Sequence, residues 1–164
     1  MKSKYLGLPV VHLASLCLFL HTPVLADELH GDAILGWRNI PDNGGWLNRA
    51  IWEIALSGAP LGSKITSVKV RYQITHPYAA DLVVELTNES ALGYWQSYRL
   101  WNRAHGVNID QTVSGITSFN NGNPNGKWYL VAWDNAPRDV GLIEEWEIWV
   151  YYDTPKPDLI VEAV

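Results

Sequence analysis

Val68-Lys69-Val70-Arg71-Tyr72-Gln73-Ile74-Thr75 decides the fold class. Apolar and polar side chains alternate at every step. In an extended chain successive side chains point to opposite faces, so one face here is apolar and the other polar. That is a half-buried β-strand, and a helix would scatter the same residues around its axis. The pattern returns in Leu82, Val84 and Leu86, in Trp128, Leu130 and Ala132, and in Trp146, Ile148, Val150 and Tyr152. Ala50–Leu56 is a weaker strand. Tyr94–Trp101 is another, with Tyr94, Gln96, Tyr98 and Leu100 on one face.

Turn residues separate these runs. Asn43-Gly44, Asn121-Gly122 and Asn125-Gly126 are turn dipeptides. Pro41, Pro60, Pro77, Pro124 and Pro137 fall between strands, where a missing N–H breaks no ladder. No long stretch has helical spacing. Short strands with turns between them predict an all-β chain folded as an antiparallel sandwich or barrel.

The first 26 residues have the form of a secretory signal. Lys2 and Lys4 supply positive charge, Leu6–Leu20 is mostly apolar, and cleavage is expected after Ala26. Pro9, His12 and His21 interrupt the run and argue against a membrane-spanning helix. Bulky Leu16 argues against lipidation at Cys17. Removing 26 of 164 residues leaves 138, with ten basic and seventeen acidic side chains and a formal charge of −7. That sign disfavours nucleic acid and anionic membranes as partners. The expected product is a soluble, exported protein without membrane insertion. Its one cysteine lies in the signal, so its core must hold it without a disulfide.

Thr154-Pro155-Lys156-Pro157 reads as a stiff linker. The strand-like run from Asp158 to Val164 resembles the opening of a cell-adhesion-related Ig-like module. The domain plan is therefore a signal over 1–26, a β-sandwich over 27–153, and a linker with the start of a further module over 154–164. The chain is expected to be a fragment of a longer polypeptide.

Several segments in order are similar to one family. They are Ile40-Pro41-Asp42, the strand Ile65–Ile74, His76-Pro77-Tyr78 leading to Asp81-Leu82, Phe119-Asn120-Asn121-Gly122, Gly126-Lys127-Trp128, Trp133-Asp134, Asp139-Val140-Gly141-Leu142 and Trp146-Glu147-Ile148. Together they resemble the P domain (P/Homo B) that follows the catalytic domain of subtilisin-like proprotein convertases. The resemblance implies a jelly-roll-like sandwich similar in architecture to galactose-binding-like domains. It also implies a module that packs on a protease domain, stabilises it and supplies no catalytic residue. His76, Asp81, Gly126, Trp128, Gly141 and Trp146 are its structural positions in this chain. Thr87-Asn88-Glu89-Ser90 departs from the family's Ser-Pro-x-Gly-Thr turn, and Arg103–Thr117 matches poorly.

Chemistry-bearing motifs are few. The Gly-Thr-Ser segment of a subtilisin-like nucleophile is absent, and so are a His-Glu-x-x-His zinc motif, a phosphate loop and a cysteine cluster. The chain alone is not expected to be an enzyme. His76 is expected to bond nearby backbone at a turn, with Asp81 ordering that turn. Asp134 and Asp139 bracket Asn135-Ala136-Pro137-Arg138. Their mutual repulsion makes them a candidate calcium pair, with Arg138 as the alternative source of balancing charge. Asn88-Glu89-Ser90 is a formal glycosylation sequon, read as a surface turn.

Alternation sends Tyr129, Val131, Trp133, Trp149 and Tyr151 away from the core side. If their strands pair, Tyr129, Trp133, Trp149 and Tyr151 form one outer aromatic patch. Such a patch would dock a neighbouring domain, or stack sugar rings in a carbohydrate- or surface-binding module. The bland alternative is a cover supplied by the segment carrying Trp37 and Trp46.

Overall fold

A computed structural model of the chain describes residues 26–89 and 95–156. Nine strands follow in order: β1 (Asp27–Ala33), β2 (Arg38–Ile40), β3 (Ala50–Leu56), β4 (Lys64–Thr75), β5 (Leu82–Glu89), β6 (Trp95–Asn102), β7 (Ile109–Ile116), β8 (Gly126–Asp134) and β9 (Gly141–Asp153). Two short 3-10 turns, Trp46–Asn48 and Ala79–Asp81, complete the regular structure of the described residues. Among the described residues no helix is long and apolar enough to cross a membrane. Residues 1–25, 90–94 and 157–164, and with them the expected signal and the start of a further module, lie outside the described residues.

All pairings are antiparallel, and the strands form two sheets. One runs β1-β9-β4-β7, with β2 also on β9, and the other runs β3-β8-β5-β6. The fold is the expected all-β sandwich. Its core lies between the sheets. Val68, Val70, Tyr72 and Ile74 from β4, and Ile143, Trp146, Ile148 and Val150 from β9, close one side. Trp52 and Ile54 from β3, Leu82, Val84 and Leu86 from β5, and Trp128 and Leu130 from β8 close the other. Phe119 packs edge-on against Trp128 at 5.0 Å, filling the layer between the walls.

Three strands were not evident in the sequence. In β1, Asp27-Glu28-Leu29-His30-Gly31-Asp32-Ala33, the apolar signal is sparse, and pairing with β9 sets its course. β2 is only three residues long. β7 buries only its end residues, Ile109 and Ile116, and lies at a sheet edge, so no alternation marks it. A further correction concerns Asn88. It belongs to β5, and its side-chain amide is buried and donates to the Lys127 carbonyl at 3.2 Å. The sequon asparagine is therefore strand interior, not surface turn.

Candidate functional site

Two side-chain groupings stand out. The first lies where β4 ends in one sheet and β8 ends in the other. His76 follows directly on β4, Asp134 closes β8, and Asp139 precedes β9. The imidazole and the Asp134 carboxylate are fully buried, and the Asp139 carboxylate is 16% exposed. His76 Nε2 lies 3.5 Å from Asp134 Oδ2 and 3.9 Å from Asp139 Oδ1.

Local backbone fixes each member. Asn108, reached through β7, accepts the His76 N–H at 3.0 Å on its side-chain oxygen and donates its own N–H to the His76 carbonyl at 3.0 Å. His76 Nδ1 accepts the Tyr78 N–H at 3.1 Å. Asp134 Oδ1 accepts the Ala136 N–H at 2.9 Å, an Asx-type turn that starts the loop to β9. Gly141 makes room for the ring, since a Cβ there would lie 2.5 Å from His76 Cδ2. Asp81 takes part through its backbone carbonyl, which accepts the Asn135 N–H at 3.1 Å. Gly126 sits at φ +139°, a conformation that glycine adopts without strain, where the chain turns into β8.

Sequence spacing brought Asp134 and Asp139 together, but it did not show that His76 faces both. Only the alignment of two strand ends from different sheets creates that contact. Among the described residues no ion pair joins the Arg138 guanidinium to either carboxylate. The Arg138 backbone N–H donates to Asp42 Oδ1 at 2.9 Å, and the basic group beside the two carboxylates is the imidazole.

The three residues could hold a cation, since their ligand atoms lie within 4.8 Å of one another. Calcium takes six to eight oxygen ligands, and two carboxylate oxygens supply only part of that shell. The Tyr78 N–H occupies the Nδ1 lone pair, so the ring proton belongs on Nε2. His76 Nε2, Asp134 Oδ2 and Asp139 Oδ1 face one another buried and without a hydrogen-bond partner among the described residues. Burial raises the Asp139 carboxyl above its usual range. The Asp134 and Asp81 charges add to the rise, and His76 opposes it.

The second grouping covers the outside of the β3-β8-β5-β6 sheet. Tyr129, Val131 and Trp133 from β8 do point away from the core, and with Val83 they form a small cluster of their own. They are not bare. Trp46 meets Trp133 edge-on at 5.0 Å, and Trp95 leans on Tyr129 at 5.1 Å. Trp133 is left only 8% exposed. Trp37 remains exposed.

The single four-residue patch does not form. β8 and β9 belong to different sheets, so Trp149 and Tyr151 lie on the opposite outer face from Tyr129 and Trp133. There Trp149 is sandwiched between the His30 ring at 4.8 Å and the Lys69 ammonium at 3.9 Å. Both Trp149 and Tyr151 are half-buried.

The sequence of this region has known relatives. Leupeptin-inactivating enzyme 1 of Streptomyces exfoliatus is 35% identical over 95 residues, covering 58% of this chain and 20% of that protein. The chain thus spans about a fifth of that relative's length. The family description "proprotein convertase P-domain" matches residues 65–150, from early in β4 almost to the end of β9, and so takes in the His76 turn, β8 and Gly141. With just over half of its residues inside that match, the chain belongs to the proprotein convertase P-domain family, a non-catalytic accessory domain of subtilisin-like proteases.

Proposed function

We propose that this chain is the accessory module of an exported proteolytic protein and that it stabilises or positions a neighbouring catalytic unit. The observation that carries this is the loop between β1 and β2, where Ile34, Leu35 and Trp37 are all exposed, Leu35 at 93%. Three large apolar side chains within four residues are costly in water and usually mark a contact surface. The length of the relative fits a module joined to a larger unit. The 27–153 limits of the module, the signal before it and the linker after it belong to the same proposal.

The test is affinity capture of the tagged chain from its own host, with the captured serine hydrolases labelled by a fluorophosphonate. Capture of a subtilisin-like protease, lost in a Leu35→Asp/Trp37→Asp variant, supports the reading. A labelled serine within this chain, or capture that the variant leaves intact, overturns it.

For His76, Asp134 and Asp139 the proposed role is a lock that ties the two sheets at one end. Calcium at Asp134 and Asp139 is the competing proposal, favoured by the convergence of two carboxylates. Thermal melts with calcium and with EDTA separate the two. The lock predicts one melting temperature in both, and calcium predicts a rise with the ion and a fall with the chelator.

A further inference from the structure

The outer face of the β3-β8-β5-β6 sheet carries a groove of about 360 Å³. That is the small end of the usual range for small-molecule sites, roughly 300–1,000 Å³. Its floor follows from strand register. Ile51 lies opposite Val131, Val131 opposite Glu85, and Glu85 opposite Arg99, which forms one row across the sheet. The next row is Glu53, Tyr129, Thr87 and Ser97. Trp46 and Arg49 wall one side, and Trp95 walls the other.

We propose that this groove binds a neutral oligosaccharide. Four observations favour a sugar over an apolar peptide side chain, and none depends on the family reading. Trp95 is 58% exposed, a half-bare indole propped on Tyr129, and a pyranose ring can lay its C–H face there. Thr87 is only 5% exposed, lines the groove, and its hydroxyl has no hydrogen-bond partner among the described residues. Arg49 Nε is likewise buried without a partner, although the same guanidinium donates to the Trp46 carbonyl and stacks on the Trp46 ring. Both atoms are already shut off from water, and an apolar occupant would leave them unpaired. A sugar brings hydroxyls at its rim that can satisfy both.

The fourth observation is charge. The groove lining holds one acid, Glu85, and one base, Arg49, and next to it Arg99, Glu89 and the pair Glu53 and Lys127 add two acids and two bases. Arg99 binds Glu85 at 2.7 Å, and Lys127 binds Glu53 at 3.2 Å. Burial and the neighbouring glutamates push the Tyr129 phenol up to about 12, so it stays a hydroxyl and donates to Glu89 at 3.3 Å. The site presents no net charge, and a neutral ligand suits it better than an acidic or basic one.

The experiment is titration of the chain with cellotetraose, chitotetraose, mannotetraose and maltotetraose. Intrinsic tryptophan fluorescence and saturation-transfer NMR are the readouts, with the tetrapeptide Ala-Phe-Leu-Pro as comparison. Saturable binding of at least one tetrasaccharide is expected. Trp95→Ala should weaken it about tenfold, and Thr87→Val about fivefold. The exposed Trp95 side chain can be truncated with little change in melting temperature, and the valine keeps the shape of the threonine. No saturable sugar binding overturns the proposal, as does equal binding by both variants. Binding of the tetrapeptide alone would assign the groove to a protein segment instead.

Discussion

At Asp139 a single carboxyl sets a pH dependence whose sign follows from its surroundings. Burial lifts its folded-state value above the ordinary 3.8. The folded chain therefore holds this proton more tightly than the unfolded chain does. The contribution of Asp139 to stability is fully present below 3.8 and is lost as pH rises through the lifted value. Asp139→Asn cannot lose the proton. Thermal melts across pH should show the variant gaining on the native chain from about pH 4 upward and holding a constant advantage near neutrality. A difference that shrinks toward neutral pH would contradict the sign.

Tryptophans on the two faces of β8 give a second test. Trp128 fills the centre of the core, and Trp128→Ala should cost about 3–5 kcal/mol. Trp133 points outward, and exposure alone would make its loss cost roughly 0.5 kcal/mol. Trp46 and Arg99 cover it. The expected cost of Trp133→Ala is therefore about 2 kcal/mol, because one side of the ring is packed against other aromatic surface. Urea unfolding of both variants measures the two values. A near-zero loss at Trp133 would mean that Trp46 does not seal it.

Among the elements, position within a sheet governs protection. β9 lies between β4 and the edge strands β1 and β2, and β8 lies between β3 and β5. Amides at the centres of β4, β8 and β9 should exchange slowest, at a rate near that of global unfolding. Those of β1, β6 and β7 should exchange faster, because each pairs on one side only. Hydrogen exchange read by mass spectrometry would show this order, and equal protection in β7 and β9 would contradict the sheet assignment. Two edge strands, β1 and β7, are also elements with a weak sequence signal. They bury little, so selection for alternating apolar residues there is slight, whereas the edge strand β3 buries every other residue. β7 buries two of its eight residues, and β1 has only partly buried ones. β4 and β9 alternate along nearly their whole length because their inner faces close the core.

For the molecule as a whole, cohesion comes from one apolar layer between two sheets. Cys17 is the only cysteine of the chain, so no internal disulfide can contribute. The melting temperature should not move on adding a reductant such as dithiothreitol. A fall would reveal a covalent link between chains. The same absence makes noncovalent ties between the sheets matter more, and the proposed lock of His76 with Asp134 would be one of them.

Alternation along Val68–Thr75, Leu82–Leu86, Trp128–Ala132 and Trp146–Tyr152, together with the family's spaced residues, was enough to specify a two-sheet antiparallel sandwich and its main core residues. A side-chain period of two follows from the backbone of each strand alone, so local sequence carries it. Which strand pairs with which depends on contacts between residues far apart in the chain, and no local pattern encodes that. Tertiary structure therefore decided that β8 and β9 belong to different sheets, which split the expected aromatic patch. It also placed His76 against Asp134 and Asp139, and it built the groove from Trp46, Thr87, Trp95 and Tyr129, which come from four separate segments.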